Sequence, residues 1–172
     1  MLRNFRRLFS TVFSTADICD AVGSKAQVLD PIFKSYGKKK TFSGLIKTIR
    51  CFDNNIRLES ILREDGSGQV LIVDNAGSMR CALVGDRLGK KAELNKWEGI
   101  VIFGSVRDVE NLKDINIGIL ALSSNPKPPD RSRDTGDVNV PLRFAGGEYS
   151  LGKFIYVDPD GVVVLQEEFS NN

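Results

Sequence analysis

Two short runs of uninterrupted apolar residues constrain the fold more than any other feature of this chain. Gln69–Asp74 reads QVLIVD and Gly99–Gly104 reads GIVIFG. Each has the length of a strand, and neither alternates with polar residues, so both faces of each strand must be covered. Strands of that kind belong to parallel or mixed sheets whose crossovers are helices. The sequence between them supplies a crossover. Gly85-Asp86 opens an amphipathic helix running to Trp97, with Leu88, Ala92 and Asn95 on its inner side. After the second run come a short helix through Lys113 and a third strand, Ile115–Leu122.

The flanking segments fit the same architecture. Asp17–Val22 starts a helix with Ser14 or Thr15 as its cap. Pro31 and Gly37 bracket a loop ending in Lys38-Lys39-Lys40, a solvated turn. Phe42–Cys51 alternates and is rich in isoleucine, as a strand is. Asn54-Asn55 caps a short helix through Arg63, and Met79–Val84 is strand-like. Ser123–Asp137, with three prolines and scattered charges, reads as a long surface loop. Val138–Phe144, Glu148–Leu151, Phe154–Val157 and Val162–Leu165 are short strands, and Asp158-Pro159-Asp160-Gly161 closes the last pair as a hairpin. The 172 residues make one layered α/β domain with a mixed sheet, residues 14–172, behind an extension of residues 1–13.

Composition removes several kinds of chemistry. The chain has no histidine, which excludes Ser-His-Asp and Cys-His catalysis and zinc sites of the Cys/His type. Cys19, Cys51 and Cys81 are isolated from one another and read as small buried residues in a reducing compartment. A net charge of +2 spread along the chain, with 8% aromatics, gives no basis for direct nucleic-acid binding. No segment approaches the ~20 apolar residues that span a bilayer, so no membrane partner is expected. Met1–Ala16 (MLRNFRRLFSTVFSTA) carries Arg3, Arg6 and Arg7 opposite Leu2, Phe5, Phe9 and Val12 and no acid. That is the composition of a mitochondrial transit peptide; the alternative is a cytoplasmic domain with an amphipathic first helix.

What remains is carboxylate, guanidinium and a hard metal ion. Gly85-Asp86 sits where a strand hands over to a helix, and Arg107-Asp108 lies just past the carboxyl end of the GIVIFG strand. Ligands of α/β sheets bind beside such ends. The helix opening at Asp86 offers unpaired N–H groups to a carboxylate or phosphate, and Arg107 can complete that seat through a bidentate contact. Asp86 and Asp108 can hold magnesium directly or through water. Taken singly, Asp86 and Asp108 also read as helix caps, and Arg107 as a surface ion-pair partner. Lys90 and Lys91 read as the exposed face of the helix.

The run VLIVDNAGSMRCALVGDRLGKKAELNKWEGIVIFGSVRDVENLKDINIGILAL, with CFDNNIRLESIL before it and GDVNVPLRFAGGEYSLGKFIYVDPDGVVVL after it, resembles the regulator of ribonuclease activity A family. The resemblance covers about residues 15 to 166. It implies a swivelling β/β/α domain and a ring-shaped homotrimer. The family includes metal-dependent aldolases that cleave 4-hydroxy-4-methyl-2-oxoglutarate and similar small 2-oxo acids to pyruvate, and many members decarboxylate oxaloacetate. Their signature is an aspartate, twenty residues, Arg-Asp, two residues and an acid. Here Asp86 is followed by twenty residues and then Arg107-Asp108. By that resemblance Asp108 is the direct ligand of a divalent cation, magnesium or manganese. Arg107 clamps pyruvate, and Asp86 holds a metal-bound water that carries protons. Gly85 and the backbone N–H groups near Arg87 and Leu88 bind the substrate carboxylate. Asn111 stands where the pattern has an acid, with Glu110 one place early, so the outer hold on the metal waters is expected to be weaker.

Three functions are compatible with this reading. The first is a pyruvate-forming lyase built on Asp86, Arg107 and Asp108. The second is a non-catalytic regulator that binds and inhibits a ribonuclease of the E type, as the family's name implies. The third is a degenerate member with a structural role, to which Asn111 would point.

Overall fold

In the computed structural model, which describes residues 13–170, both apolar runs are strands at the centre of one sheet. The arginine-rich residues 1–12, on which most of the transit-peptide reading rests, lie outside the described residues. In chain order the elements are α1 (Thr15–Val22), β1 (Gln27–Val28), β2 (Lys34–Ser35), β3 (Phe42–Arg50), α2 (Ile56–Ile61), β4 (Gln69–Asp74), β5 (Ala82–Val84), α3 (Asp86–Leu94), β6 (Gly99–Val106), α4 (Val109–Leu112), β7 (Gly118–Ser124), β8 (Asp137–Val138), β9 (Leu142–Phe144), β10 (Gly147–Tyr149), β11 (Phe154–Asp158) and β12 (Gly161–Leu165).

The sheet is mixed, as expected. Its order is β1-β12-β11-β3-β4-β6-β7-β2, with β5 on β6 and β8 on β3. Neighbours among β3, β4, β6 and β7 run parallel, and the flanking strands are antiparallel. Period-2 alternation divides the central strands between two cores. Leu71, Val73, Ile100 and Ile102 pack against Leu58 and Leu62, Leu88 and Ala92 of α3, and Leu112 of α4. Val70, Ile72 and Val101 face Leu142, Phe144 and Tyr149 of the β9-β10 hairpin and Ile155 and Val157 of β11. The result is hairpin, sheet and helices in three layers. At the sheet's far side α1 lays Ile18 on Tyr156, Val163 and Leu165. Ser14 caps that helix by accepting from the Asp17 N–H at 3.0 Å.

One topological detail positions the site. β4 pairs with β6 up to Asp74↔Phe103 and stops. β5 then takes over the same edge of β6 at Ser105 and Val106. The hand-over delivers Gly85 to the carboxyl end of β6, and the Arg107 N–H extends the pairing by donating to the Val84 carbonyl at 2.9 Å.

Several element boundaries differ from the sequence reading: β6 runs on to Val106, the expected strand Val138–Phe144 is divided between β8 and β9, and β10 ends at Tyr149. Only Ala82–Val84 of the segment Met79–Val84 is strand, since the Ala82 N–H is taken by the Lys127 carbonyl of the following loop. Helix α3 ends at Leu94, because Lys96 adopts a positive φ of 62° and turns Trp97 back into the core. The third strand begins at Gly118, three residues later than expected. No described helix is long and apolar enough to cross a membrane.

Candidate active site

Asp86, Arg107 and Asp108 converge beside the carboxyl ends of β5 and β6. Asp108 Oδ2 accepts from the Asp86 backbone N–H at 3.3 Å and lies 3.5 Å from Arg107 Nε. On the far side of Asp86, Asn111 Nδ2 donates to Asp86 Oδ2 at 3.2 Å. The position where the family pattern has an acid therefore does reach the cluster, as a hydrogen-bond donor.

Neither aspartate caps its own helix through its side chain. Gly85, not Asp86, is the N-cap of α3. Asp108 occupies the N-cap position of α4, but its carboxylate turns away toward Gly85 and Asp86. Its backbone is left-handed, at φ 56° and ψ 40°, a conformation that costs a non-glycine residue of order 1 kcal/mol or more. That strain aims the carboxylate across the gap instead of over its own helix. Gly85 leaves the space it enters: a Cβ on Gly85 would lie 2.4 Å from Asp108 Oδ2.

The N-terminus of α3 is open to a ligand. Its first intrahelical bond is Gly89 N–H to the Gly85 carbonyl at 2.9 Å. The N–H groups of Arg87 and Leu88 have no partner among the described residues, which leaves two donors and the positive end of the helix for a carboxylate. The cleft they line also takes in Arg107 and Asp108, together with Asn55, Pro128, Pro129 and Arg131. It encloses about 90 Å³, the scale of a small acid and well below the ~300–1,000 Å³ of drug-sized sites.

A second polar cluster adjoins this cleft, and the sequence did not single it out. Glu59 of α2 is 5% exposed. Its Oε1 accepts from Arg87 at 2.7 Å, Lys91 at 2.7 Å and Arg63 at 3.1 Å. Its Oε2 accepts from Arg87 at 2.9 Å and Arg131 at 2.9 Å. The Arg87 fork, then Lys91, hold the Glu59 carboxyl far below the usual carboxylate range, against the opposing effect of burial. Glu59 in turn raises the Arg87 guanidinium. The reading of both helix lysines as exposed is thus corrected for Lys91, whose ammonium is drawn onto Glu59; Lys90 is exposed. The only sequence signal for Glu59 was an acid at a helical spacing otherwise filled by apolar Leu58, Ile61 and Leu62.

The donor set admits one class of metal. Among the described residues no three of His, Cys, Asp or Glu gather into a cage. Two carboxylates lining one open cleft suit a hard ion that keeps most of its waters, as magnesium does, and manganese accepts the same oxygen donors. Asp108 and Asp86 are the carboxylates of this cleft that could hold such an ion or its waters.

Comparison with known proteins places the chain in a family. The profile described as RraA-like, Aldolase/RraA, matches residues 15–164. A relative from Pseudomonas putida (strain W619), named "Putative 4-hydroxy-4-methyl-2-oxoglutarate aldolase", is 46% identical over 152 residues, 88% of this chain and 93% of its own. A protein of the same name from Stutzerimonas stutzeri is 42% identical over 158 residues, 92% of this chain and 97% of its own. Among solved structures, the RNA-processing inhibitor RraA from Thermus thermophilis superposes with a TM-score of 0.89 at 39% identity, covering 92% of this chain and 96% of its own. A structure named as an S-adenosylmethionine: 2-dimethylmenaquinone methyltransferase, from Geobacillus kaustophilus, reaches the same TM-score of 0.89 at 36% identity, covering 93% of this chain and all of its own.

Proposed function

The chain belongs to the RraA-like family, and on that premise we propose that it is a divalent-metal-dependent carbon–carbon lyase. Its substrates are 2-oxo acids of the 4-hydroxy-4-methyl-2-oxoglutarate type, cleaved to pyruvate, and oxaloacetate, decarboxylated to pyruvate. The observation that carries this reading is the meeting of Asp86, Arg107 and Asp108 around the open N-terminus of α3.

The residues divide the work by position. The N–H groups of Arg87 and Leu88, with the dipole of α3, receive the carboxylate next to the 2-oxo group. Arg107 clamps the same end of the substrate and stabilises negative charge as it builds on the 2-oxo oxygen. Asp108 would hold a divalent cation such as magnesium, which when bound would supply Lewis acidity to the substrate. Asp86 is held by Asn111 in reach of the cleft and holds or relays the proton that leaves the 4-hydroxyl group and returns to carbon. No imidazole is needed for any of these roles.

The names of the relatives support the aldolase reading. The Thermus neighbour supports a second reading, a regulator that binds and inhibits a ribonuclease. A ring-shaped homotrimer and a mitochondrial location complete the proposal; scattering mass and a fluorescent fusion of residues 1–16 test them. The enzymatic reading is tested with purified protein, magnesium and oxaloacetate. Pyruvate release above the Asp108→Ala variant, lost on chelation, supports it. Equal release by both proteins sinks it.

A further inference from the structure

We propose that Arg131 selects dicarboxylate substrates by binding the carboxylate distal to the 2-oxo group, and that buried Glu59 is the positioning residue that holds it over the cleft. The inference rests on the lyase reading for the identity of the proximal end and adds to it a residue that reads the other end.

Three observations carry it. The first is placement. Arg131 lies in the loop between β7 and β8, and the chain on either side of it is tied down. Asn54 Nδ2 donates to the Asp130 carbonyl at 2.8 Å and to the Arg133 carbonyl at 2.6 Å. Arg57 forks onto Asp134 at 3.0 and 3.2 Å. Arg131 is therefore presented to the cleft from a fixed stretch of backbone, on the wall formed with Pro128 and Pro129.

The second is charge. Glu59 is the shared partner of Arg63, Arg87, Lys91 and Arg131. Two of these cations, Arg87 and Arg131, also line the cleft, where their positive charge favours an entering anion.

The third is donor capacity. Arg87 commits both arms of its fork to Glu59. Lys91 is only 22% exposed and points at the same carboxylate. Arg131 gives Glu59 a single N–H bond, at 2.9 Å. The other four of its five donors have no partner among the described residues, and its side chain is 45% exposed. A guanidinium held by one corner at the lining of a small cleft keeps the donors for a bidentate carboxylate contact. A substrate whose proximal carboxylate lies at α3 and Arg107 extends its far end toward this wall.

The test compares 4-hydroxy-4-methyl-2-oxoglutarate with 4-hydroxy-2-oxopentanoate, in which hydrogen replaces the distal carboxylate. Wild-type protein with magnesium should favour the diacid in kcat/KM. Arg131→Met should lower kcat/KM for the diacid by roughly 10- to 100-fold, the range for losing a charged contact, and leave the monoacid within about twofold. Glu59→Gln should shift the same ratio in the same direction, with circular dichroism confirming a folded protein. An equal loss on both substrates, or no change in their ratio, overturns the inference. A calorimetric titration with 2-oxoglutarate and with pyruvate gives a readout independent of turnover. Arg131→Met should weaken 2-oxoglutarate by a similar factor and leave pyruvate unchanged; identical weakening of both overturns the inference. If the wild type releases pyruvate from neither substrate, the lyase reading fails and the titration alone decides Arg131.

Discussion

Replacing Glu59 with glutamine keeps the shape of the side chain and removes its charge. The carboxylate is 7% exposed and accepts bonds from Arg63, Arg87, Lys91 and Arg131. Breaking a fully buried ion pair costs about 3–5 kcal/mol. Here the cations are 22–67% exposed and can rehydrate, and Arg63, at the exposed end of that range, contributes almost nothing. A loss of about 2–3 kcal/mol follows, which at a urea m-value of ~2 kcal/mol/M moves the midpoint by about 1–1.5 M. The pH dependence has a definite sign. The folded-state pKa of Glu59 lies below its ordinary 4.5. Its stabilisation is therefore present above about pH 4.5 and disappears as pH falls through the lower folded value. Urea unfolding of wild type and Glu59→Gln should show a constant gap from pH 5 to 8 that narrows in acid. A gap under about 0.5 kcal/mol at pH 7, or one that widens in acid, would refute the reasoning.

Other consequences are open to measurement. Gly85→Ala places a methyl 2.4 Å from Asp108 Oδ2, so it should displace that carboxylate, cost about 1–3 kcal/mol in thermal unfolding and reduce metal-dependent turnover far more than it reduces stability. Asn111→Asp restores the family acid beside Asp86; manganese affinity by water-proton relaxation should rise by about 10-fold, while the metal-free protein melts slightly lower from the facing carboxylates. Burial pushes the Cys51 thiol up to about 12 and the Cys81 thiol up to about 11. Alkylation at pH 8 with mass detection should modify both only after denaturant is added; rapid labelling of the folded chain would contradict their placement.

The central strands were legible because their chemistry is one-dimensional. QVLIVD and GIVIFG have no polar position, so burial on both faces follows from the letters alone, and β4 spans the first run to the residue. The hairpin at Asp158–Gly161 was equally plain from its turn residues. The meeting of Asp86 with Arg107 and Asp108 could be inferred from their places at strand ends, although not the left-handed backbone that turns Asp108 off its helix. Glu59 and Arg131 lie 72 positions apart and meet only because α2, α3 and the β7-β8 loop pack around one corner. No spacing encodes that. The polar stretch Ser123–Asp137 looked like solvent-facing loop because its composition is that of one; what makes it a wall is the pair of bonds from Asn54 to its backbone.

The measurement that bears most directly on the central claim is the initial rate of pyruvate release from 4-hydroxy-4-methyl-2-oxoglutarate, with saturating magnesium, by wild type and by Asp108→Asn. Asparagine tolerates the left-handed backbone of position 108, so the fold should persist while the metal ligand is lost. The account predicts saturable release by the wild type and a rate at least about 1,000-fold lower in the variant, consistent with losing several kcal/mol of charge stabilisation. Equal rates in the two proteins, or a wild type no faster than magnesium alone, would contradict it.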